Sequence, residues 1–469
     1  MPQTYDTILR RGLVVDPVNG VHRQADVAMS DGRIAAIGEI DGTAREDRDV
    51  AGLMVMPGIV DAHVHLSPWL GGGAGHRMLA LAGVTFALDL AGPIDGVTRL
   101  AAESGCGVTI GCIDYVRPGH TVGSEDPGED ELRDALAKAR RAGAIGFKIL
   151  GGHFPLTREA SARVIDVAAR EGAYVAFHSG TLSTPQSVAG MRESCELAAG
   201  NPLHLAHINS YTRGLDASAV IEAEEAIAIL AETPNVWSES YLAPINGNSG
   251  KCADGVPESV ATQKNLKRGG FPATTEGMVA AISAGWAQVH VLQDGVHVLT
   301  GGEVGLTAWR AAESNIGISF EANPPEPRIH LATAKRADGS FAVDALATDG
   351  GGIPRNDLIS RGLALYHLDA LTLDDFVLKT SAAPARALGL AGRKGHLGIG
   401  ADADVTVIDV ARLSPVESYA HGRAVLRDGE VVGRGARMLV PPEGRAHVES
   451  LGIETLVAEP GSMLSGRGA

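Results

Sequence analysis

Two textures of apolar and polar positions alternate along this chain. Residues 1–54 run as short β-like stretches separated by turns: "YDTILRRGLVVDP", "ADVAMSDGRIAAIG" and "RDVAGLMVMPG". The same texture returns after residue 395, in "ADADVTVIDV" and "VESYAHGRAVLRDGEVVG". Asp31-Gly32 and Asp428-Gly429 each separate two such stretches and read as hairpin turns. The two ends of the chain resemble each other and not the middle. They predict one small β-sandwich domain built from residues 1–54 plus 395–440.

The middle reads differently. Runs that are apolar almost throughout alternate with Ala-rich stretches: "IVDAHVHL", "TFALDLAG", "GVTIGCIDY", "AIGFKILGG", "AYVAFHSG", "LHLAHINSY", "NVWSESYL" and "ALATDGGG". Between several of them lie segments such as "EDELRDALAKARRAG" and "TREASARVIDVAAREG", with apolar residues spaced by three and four, the helical period. Strands without polar alternation, separated by helices, imply a parallel sheet covered on both faces. Eight such units predict an α/β fold, a (β/α)₈ TIM-type barrel, over residues 55–394. Residues 243–344, between the seventh and eighth runs, are too many for one helix and predict an insertion, a cap or lid on the catalytic face. Residues 441–469 read as a C-terminal arm, weakly ordered or laid across a neighbour.

Composition narrows the partners. Asp plus Glu total 56 against 40 Lys plus Arg, a net charge of −16, which argues against nucleic acid or an anionic membrane surface. Cys106, Cys112, Cys195 and Cys252 form no CxxC pair and are too few for a disulfide framework. No basic leader and no run of about 18 uncharged apolar residues is present. A cytoplasmic enzyme acting on a small molecule is the expectation.

Barrel enzymes carry their chemistry at the C-terminal ends of the strands. Run one ends in His63 and His65, two residues apart and so on one face of a strand. Lys148 lies in run four, His178 ends run five, His207 run six and Asp349 run eight. Each has an ordinary reading: a packed core histidine, or a turn former or helix cap for Asp349. Lys148 fits least well, because an amine among Phe147, Ile149 and Leu150 must be neutralised or paired. A neutral buried amine can add CO₂ to form a carbamate, an oxygen ligand able to bridge two cations. Taken together, imidazoles and carboxylate oxygens suit zinc and its neighbours, and two metals roughly 3.5–4 Å apart form a clamp that activates water.

"MPGIVDAHVHL", "GFKIL" and "TSAAPARALGLAGRKGHLGIGADADVTVID" resemble segments of the amidohydrolase superfamily of metal-dependent hydrolases. The resemblance spans residues 5–435 apart from the 243–344 insertion; Ala383 stands where relatives often carry Asn. It implies a binuclear centre of two divalent ions, zinc by default. His63, His65 and Asp349 would hold the more buried ion, His178 and His207 the more exposed one, and carbamylated Lys148 would bridge both with a hydroxide. Asp349 would also act as the catalytic base, moving a proton from the attacking water to the leaving nitrogen. A homo-oligomer is the family expectation.

The lysine separates this pattern from one-metal deaminases and points to hydrolysis of a C–N amide bond, cyclic or N-acyl, as in dihydroorotases, hydantoinases and D-aminoacylases. Deaminase or esterase activity on the same site is one alternative. A non-catalytic barrel subunit, like the amidohydrolase-like subunit of formylmethanofuran dehydrogenase, is the other. Substrate contacts are sought in His153, Asn209, Tyr211, Tyr241 and Arg355, each of which has a loop-filling reading as well. Asp61, two residues before His63, is expected to support the site from deeper in the barrel.

Overall fold

The eight near-continuous apolar runs form eight parallel strands in the computed structural model, which describes residues 4–459 and 461–464. They are Ile59–His65, Val84–Ala91, Cys106–Val116, Gly146–Leu150, Tyr174–His178, Leu203–Leu205, Val236–Ser240 and a split eighth strand, Ala345–Leu346 and Gly350–Gly351. Each pairs with its neighbour in sequence order. The first half of strand eight pairs with strand seven (Glu239↔Ala345) and its second half with strand one (Gly350↔Val64), which closes the ring. Asp349, at φ 51, sits between the halves, and a left-handed residue cannot continue a ladder. Strands four and five are buried at every position, as expected where side chains fill one face and helices cover the other.

The helices follow from local chemistry. Glu129–Ala142 opens with Glu129, Asp130 and Glu131 and closes with Arg140 and Arg141, matching the helix dipole. Leu132, Leu136 and Ala139 are its buried stripe. Arg158–Arg170 is capped by the Thr157 hydroxyl, which accepts from the Ala160 amide at 3.0 Å.

Both chain ends enter one nine-stranded sheet beside the barrel. Met54–Pro57 pairs antiparallel with Val405–Asp409 (Val55↔Val407), so the termini zip together. Asp31-Gly32 and Asp428-Gly429 are hairpin turns, with positive φ at both residues of each.

The segment before strand eight divides in two. Strands Asn246–Ser249, Gly317–Phe320, Ala287–Gln293 and Val296–Thr300 make a four-stranded antiparallel sheet, packed with three helices around Leu266, Met278, Val289, Trp309 and Phe320. The following helix, Pro325–Thr333, instead packs on the barrel helix Ala219–Glu232. Residues beyond 434 also return to the barrel. Gly435–Val440 runs parallel to the start of strand three, and Glu454–Val457 pairs with it. Leu439, Leu456 and Leu464 are buried in the same cluster as Val60 and Phe86. Within its described residues, the expected arm is thus packed on its own barrel; residues 460 and 465–469 of it lie outside the described residues. No described helix is long and apolar enough to cross a membrane.

Candidate active site

The period of two along strand one aims Asp61, His63 and His65 at the barrel axis. Asp61 is fully buried. Its Oδ1 accepts from the His63 and Thr348 amides at 3.3 and 3.1 Å, and its Oδ2 from the Thr348 hydroxyl at 2.5 Å. It ties strand one to strand eight beneath the histidines. Burial, partly offset by Thr348, pushes its carboxyl up to about 7.

His63 Nδ1 lies 2.7 Å from Glu239 Oε1, on strand seven. With the carboxylate as acceptor, Nδ1 carries the proton and Nε2 keeps its lone pair toward the axis. The same Glu239 oxygen accepts from the His207 amide at 2.6 Å, and His204 Nε2 lies 3.5 Å from it. Burial alone would raise the Glu239 carboxyl, but His63 and His204 outweigh this and hold it down at about 2. Burial in turn lowers His63, so the pair is a carboxylate and a neutral imidazole. His207 has φ 35, a conformation costing a non-glycine residue about 1–3 kcal/mol. A hydrogen bond to a buried carboxylate contributes about 1.5–3 kcal/mol, enough to hold it.

Asp349 meets the two histidines from strand eight. Its Oδ1 is 2.8 Å from His65 Nε2 and 3.4 Å from His63 Nε2. One ligand atom from each of His63, His65 and Asp349 lies within 4.8 Å of the others. Arg355 is buried and grips the same residue: Nε donates to the Asp349 carbonyl at 2.6 Å, Nη2 to Oδ2, and Nη1 reaches the Ile245 carbonyl at 2.9 Å. Burial would raise the Asp349 carboxyl; Arg355, His63 and His65 overcome it and hold the group well below the usual carboxylate range.

The other half of the site is a run of rings. His207 stacks on His63 with centroids 5.0 Å apart, His178 meets His207 edge-on at 4.4 Å, and His153 meets His178 at 5.1 Å. His178 Nε2, His207 Nδ1 and Lys148 Nζ are buried and have no hydrogen-bond partner. Burial of a lone ammonium costs several kcal/mol. It pulls the Lys148 amine down to about 8 against the opposing pull of Glu239, Asp349 and Asp89. A Cβ at Gly152 would come within 2.1 Å of His178 Nε2, so the glycine keeps open the space that nitrogen faces.

The remaining substrate-contact candidates differ in how free they are. Tyr211 is spent on backbone: its hydroxyl donates to the Ala206 carbonyl at 2.8 Å and accepts from the Ser179 amide at 3.0 Å. Asn209 Oδ1 accepts from the Tyr241 amide at 2.8 Å, while its Nδ2 is buried without a partner. The Tyr241 ring lies under the Arg355 guanidinium at 5.0 Å, and its hydroxyl joins Arg213, Ser210 and Asn323. Arg355, considered as a substrate contact, is turned onto Asp349.

The donor set fits divalent metal. Two imidazoles and a carboxylate converge at the strand-one and strand-eight end. Beside them are two imidazole nitrogens and one depressed amine, all buried and unsatisfied, a combination that a packed core rarely leaves uncompensated. Sequence inspection passed over Glu239. Its signal was a lone carboxylate in the uncharged, buried run "NVWSESYL".

A sequence model of the amidohydrolase family matches residues 264–433. An allantoinase from Rubrobacter xylanophilus is 41% identical over 92 residues, which cover 18% of this chain and 20% of that protein. The match thus spans about a fifth of the length of that curated relative. Among solved structures, N-acyl-D-glutamate deacylase from Bordetella bronchiseptica, complexed with zinc and a phosphonate mimic of the tetrahedral intermediate, superposes with a TM-score of 0.68 at 17% identity. That superposition covers 92% of this chain and 99% of that one. A chain of the formyltransferase/hydrolase complex from Methylorubrum extorquens, with methylofuran, gives a TM-score of 0.63 at 16% identity, covering 97% and 100%. The amidohydrolase family model thus matches residues 264–433, and the solved structures share the barrel-plus-terminal-sheet fold of this chain.

Proposed function

We propose that the protein is a metal-dependent hydrolase that cleaves a C–N amide bond of a small molecule, cyclic or N-acyl. The observation that carries this reading is the convergence of His63, His65 and Asp349 beside the unsatisfied Lys148 Nζ, His178 Nε2 and His207 Nδ1. His63, His65 and Asp349 would hold one divalent ion and His178 and His207 a second, with Lys148 between them; zinc is the expected metal. Bound there, such ions supply Lewis-acid polarisation of the scissile carbonyl and lower the pKa of water.

The chain's own residues do the rest. The Lys148 ammonium gives up one proton, and the free amine would add CO₂ with loss of a second, which turns a costly buried cation into a carbamate ligand. Glu239 fixes the tautomer of His63 and, through the His207 amide, the pose of His207. Asp349 takes a proton from the attacking water and returns it to the leaving nitrogen, while Arg355 keeps its carboxylate ionised and oriented.

The test is metal analysis followed by a screen of cyclic amides, imides and N-acyl amino acids after loading with Zn²⁺ and bicarbonate. Expected are close to two metals per chain and turnover of at least one class. A protein that takes up no divalent metal and stays inert across the screen would refute the reading.

A further inference from the structure

Several arginines on the outside of this acidic protein are matched with carboxylates. Arg158 pairs with Glu193 and Glu196, Arg170 with Glu129 and Asp166, and Arg192 with Glu225. Arg213 is different. It lies six residues beyond His207, on the loop leaving strand six at the catalytic end of the barrel. Its Nε donates to Asn323 Oδ1 at 2.9 Å, and its Nη2 to the Tyr241 hydroxyl at 3.0 Å and the Ser210 hydroxyl at 3.4 Å. All three acceptors are neutral. Among the described residues no carboxylate pairs with Arg213, and its Nη1 makes no hydrogen bond.

The acid enclosed by this loop is Glu222, and it is already satisfied. The Gly214, Leu215, Asp216 and Ala217 amides donate to it at 2.6 to 3.2 Å. Wrapping the loop around Glu222 sets its course and leaves the guanidinium of Arg213 uncompensated. Arg268, from the inserted subdomain, adds a second positive charge by donating to the Arg213 carbonyl at 3.0 Å.

Arg213 is also connected to the metal-binding cluster. Tyr241, whose hydroxyl it holds, carries Arg355 on its ring, and Arg355 grips Asp349. Arg213 is close enough to act electrostatically on His153, which meets His178 edge-on. Asn323 is itself immobile, since its Nδ2 donates to the Ala243 and Ile245 carbonyls at 3.2 and 2.8 Å.

From this juxtaposition we infer that Arg213 anchors an anionic group of the substrate, a carboxylate carried beside the scissile amide. A guanidinium with a free edge, held by neutral groups at the mouth of a protein of net charge −16, selects an anion by charge and by its planar donors. The reading rests on the proposed hydrolase and favours N-acyl amino acids over uncharged cyclic amides. The contact to Asn323 gives the inserted subdomain a role in specificity.

The test uses the zinc- and bicarbonate-treated full chain. Binding is measured by calorimetry for N-formyl and N-acetyl amino acids of both hands and for their primary carboxamides, which keep the amide and lack the charge. The acids are expected to bind about tenfold tighter or better. Arg213→Met should remove that preference, leaving carboxamide binding, metal content and melting temperature unchanged, and Arg213→Lys should keep part of it. Equal binding of acids and carboxamides by the unmodified protein, or a preference that survives Arg213→Met, would overturn the inference. Turnover of a neutral amide together with equal binding of acids and carboxamides would keep the hydrolase reading and sink the anchor. An Arg213-dependent preference without any turnover would keep the anchor and sink the hydrolase reading.

Discussion

The two halves of the proposed metal site are built in opposite ways. Around His63, His65 and Asp349 most of the polar atoms already have partners: Glu239 takes His63 Nδ1, Asp349 takes His65 Nε2, and Arg355 takes Asp349. Around Lys148, His178 and His207 three buried nitrogens have none. The first half is held in shape by the protein. The second is held in shape by packing and glycine clearance, with these nitrogens left to a ligand. The first half should therefore take its ion more tightly, and the second should depend on CO₂ as well as metal.

The largest test of that contrast is Asp349→Asn. It keeps the side chain's size but replaces one acceptor oxygen by an amide NH₂ and removes the proton carrier, so kcat should fall about 10²–10⁴-fold while most of the metal content, read by elemental analysis, is retained. Near-normal kcat would reject Asp349 as the base. Next comes Lys148→Ala, which should drop metal content from about two ions to about one, the loss falling on the His178–His207 half. Added short carboxylic acids should restore part of the second site; retention of two ions at full rate would rule out the carbamate.

Glu239→Gln should lower metal affinity about 10–100-fold, measured by competition with a chromogenic chelator, because the buried carboxylate orients ligands in both halves. Unchanged affinity would make Glu239 a packing residue. The smallest effect is in pH. With the Lys148 amine lowered to about 8, its neutral form grows as pH rises through 8, so loading of the second site at a fixed concentration of dissolved CO₂ should speed up about tenfold from pH 7 to pH 9. Loading of the first ion should lack this step. A flat second phase would show that the amine is not the group being modified.

Much of the fold was legible because it rests on local patterns. Strands four and five are buried on both faces, and their runs "GFKIL" and "YVAFH" carry no alternation. The Asp-Gly turns at 31–32 and 428–429 carry their positive φ in their composition. The C-terminal segment was harder. "GSMLSGRGA" reads as polar and small, yet Leu464 is buried against the barrel, a contact that no neighbouring residue announces. The inserted segment was visible as surplus length, but the point where subdomain gives way to the helix Pro325–Thr333 depends on packing against Ala219–Glu232.

The site divides along the same line. Residue order alone placed His63, His65, Lys148, His178, His207 and Asp349 on or just beyond strands one, four, five, six and eight, because strand period and barrel topology are carried by apolar continuity. Which atoms meet is a property of pairs far apart in the chain. His63 and Glu239 are separated by 176 residues, and Tyr241 and Asn323 by 82. Glu239 joined to two histidines, Arg355 turned onto Asp349 and Arg213 left without a counter-charge were all decided by the tertiary structure. Hydrogen bonds and desolvation act over a few ångströms of space, whatever the distance along the sequence.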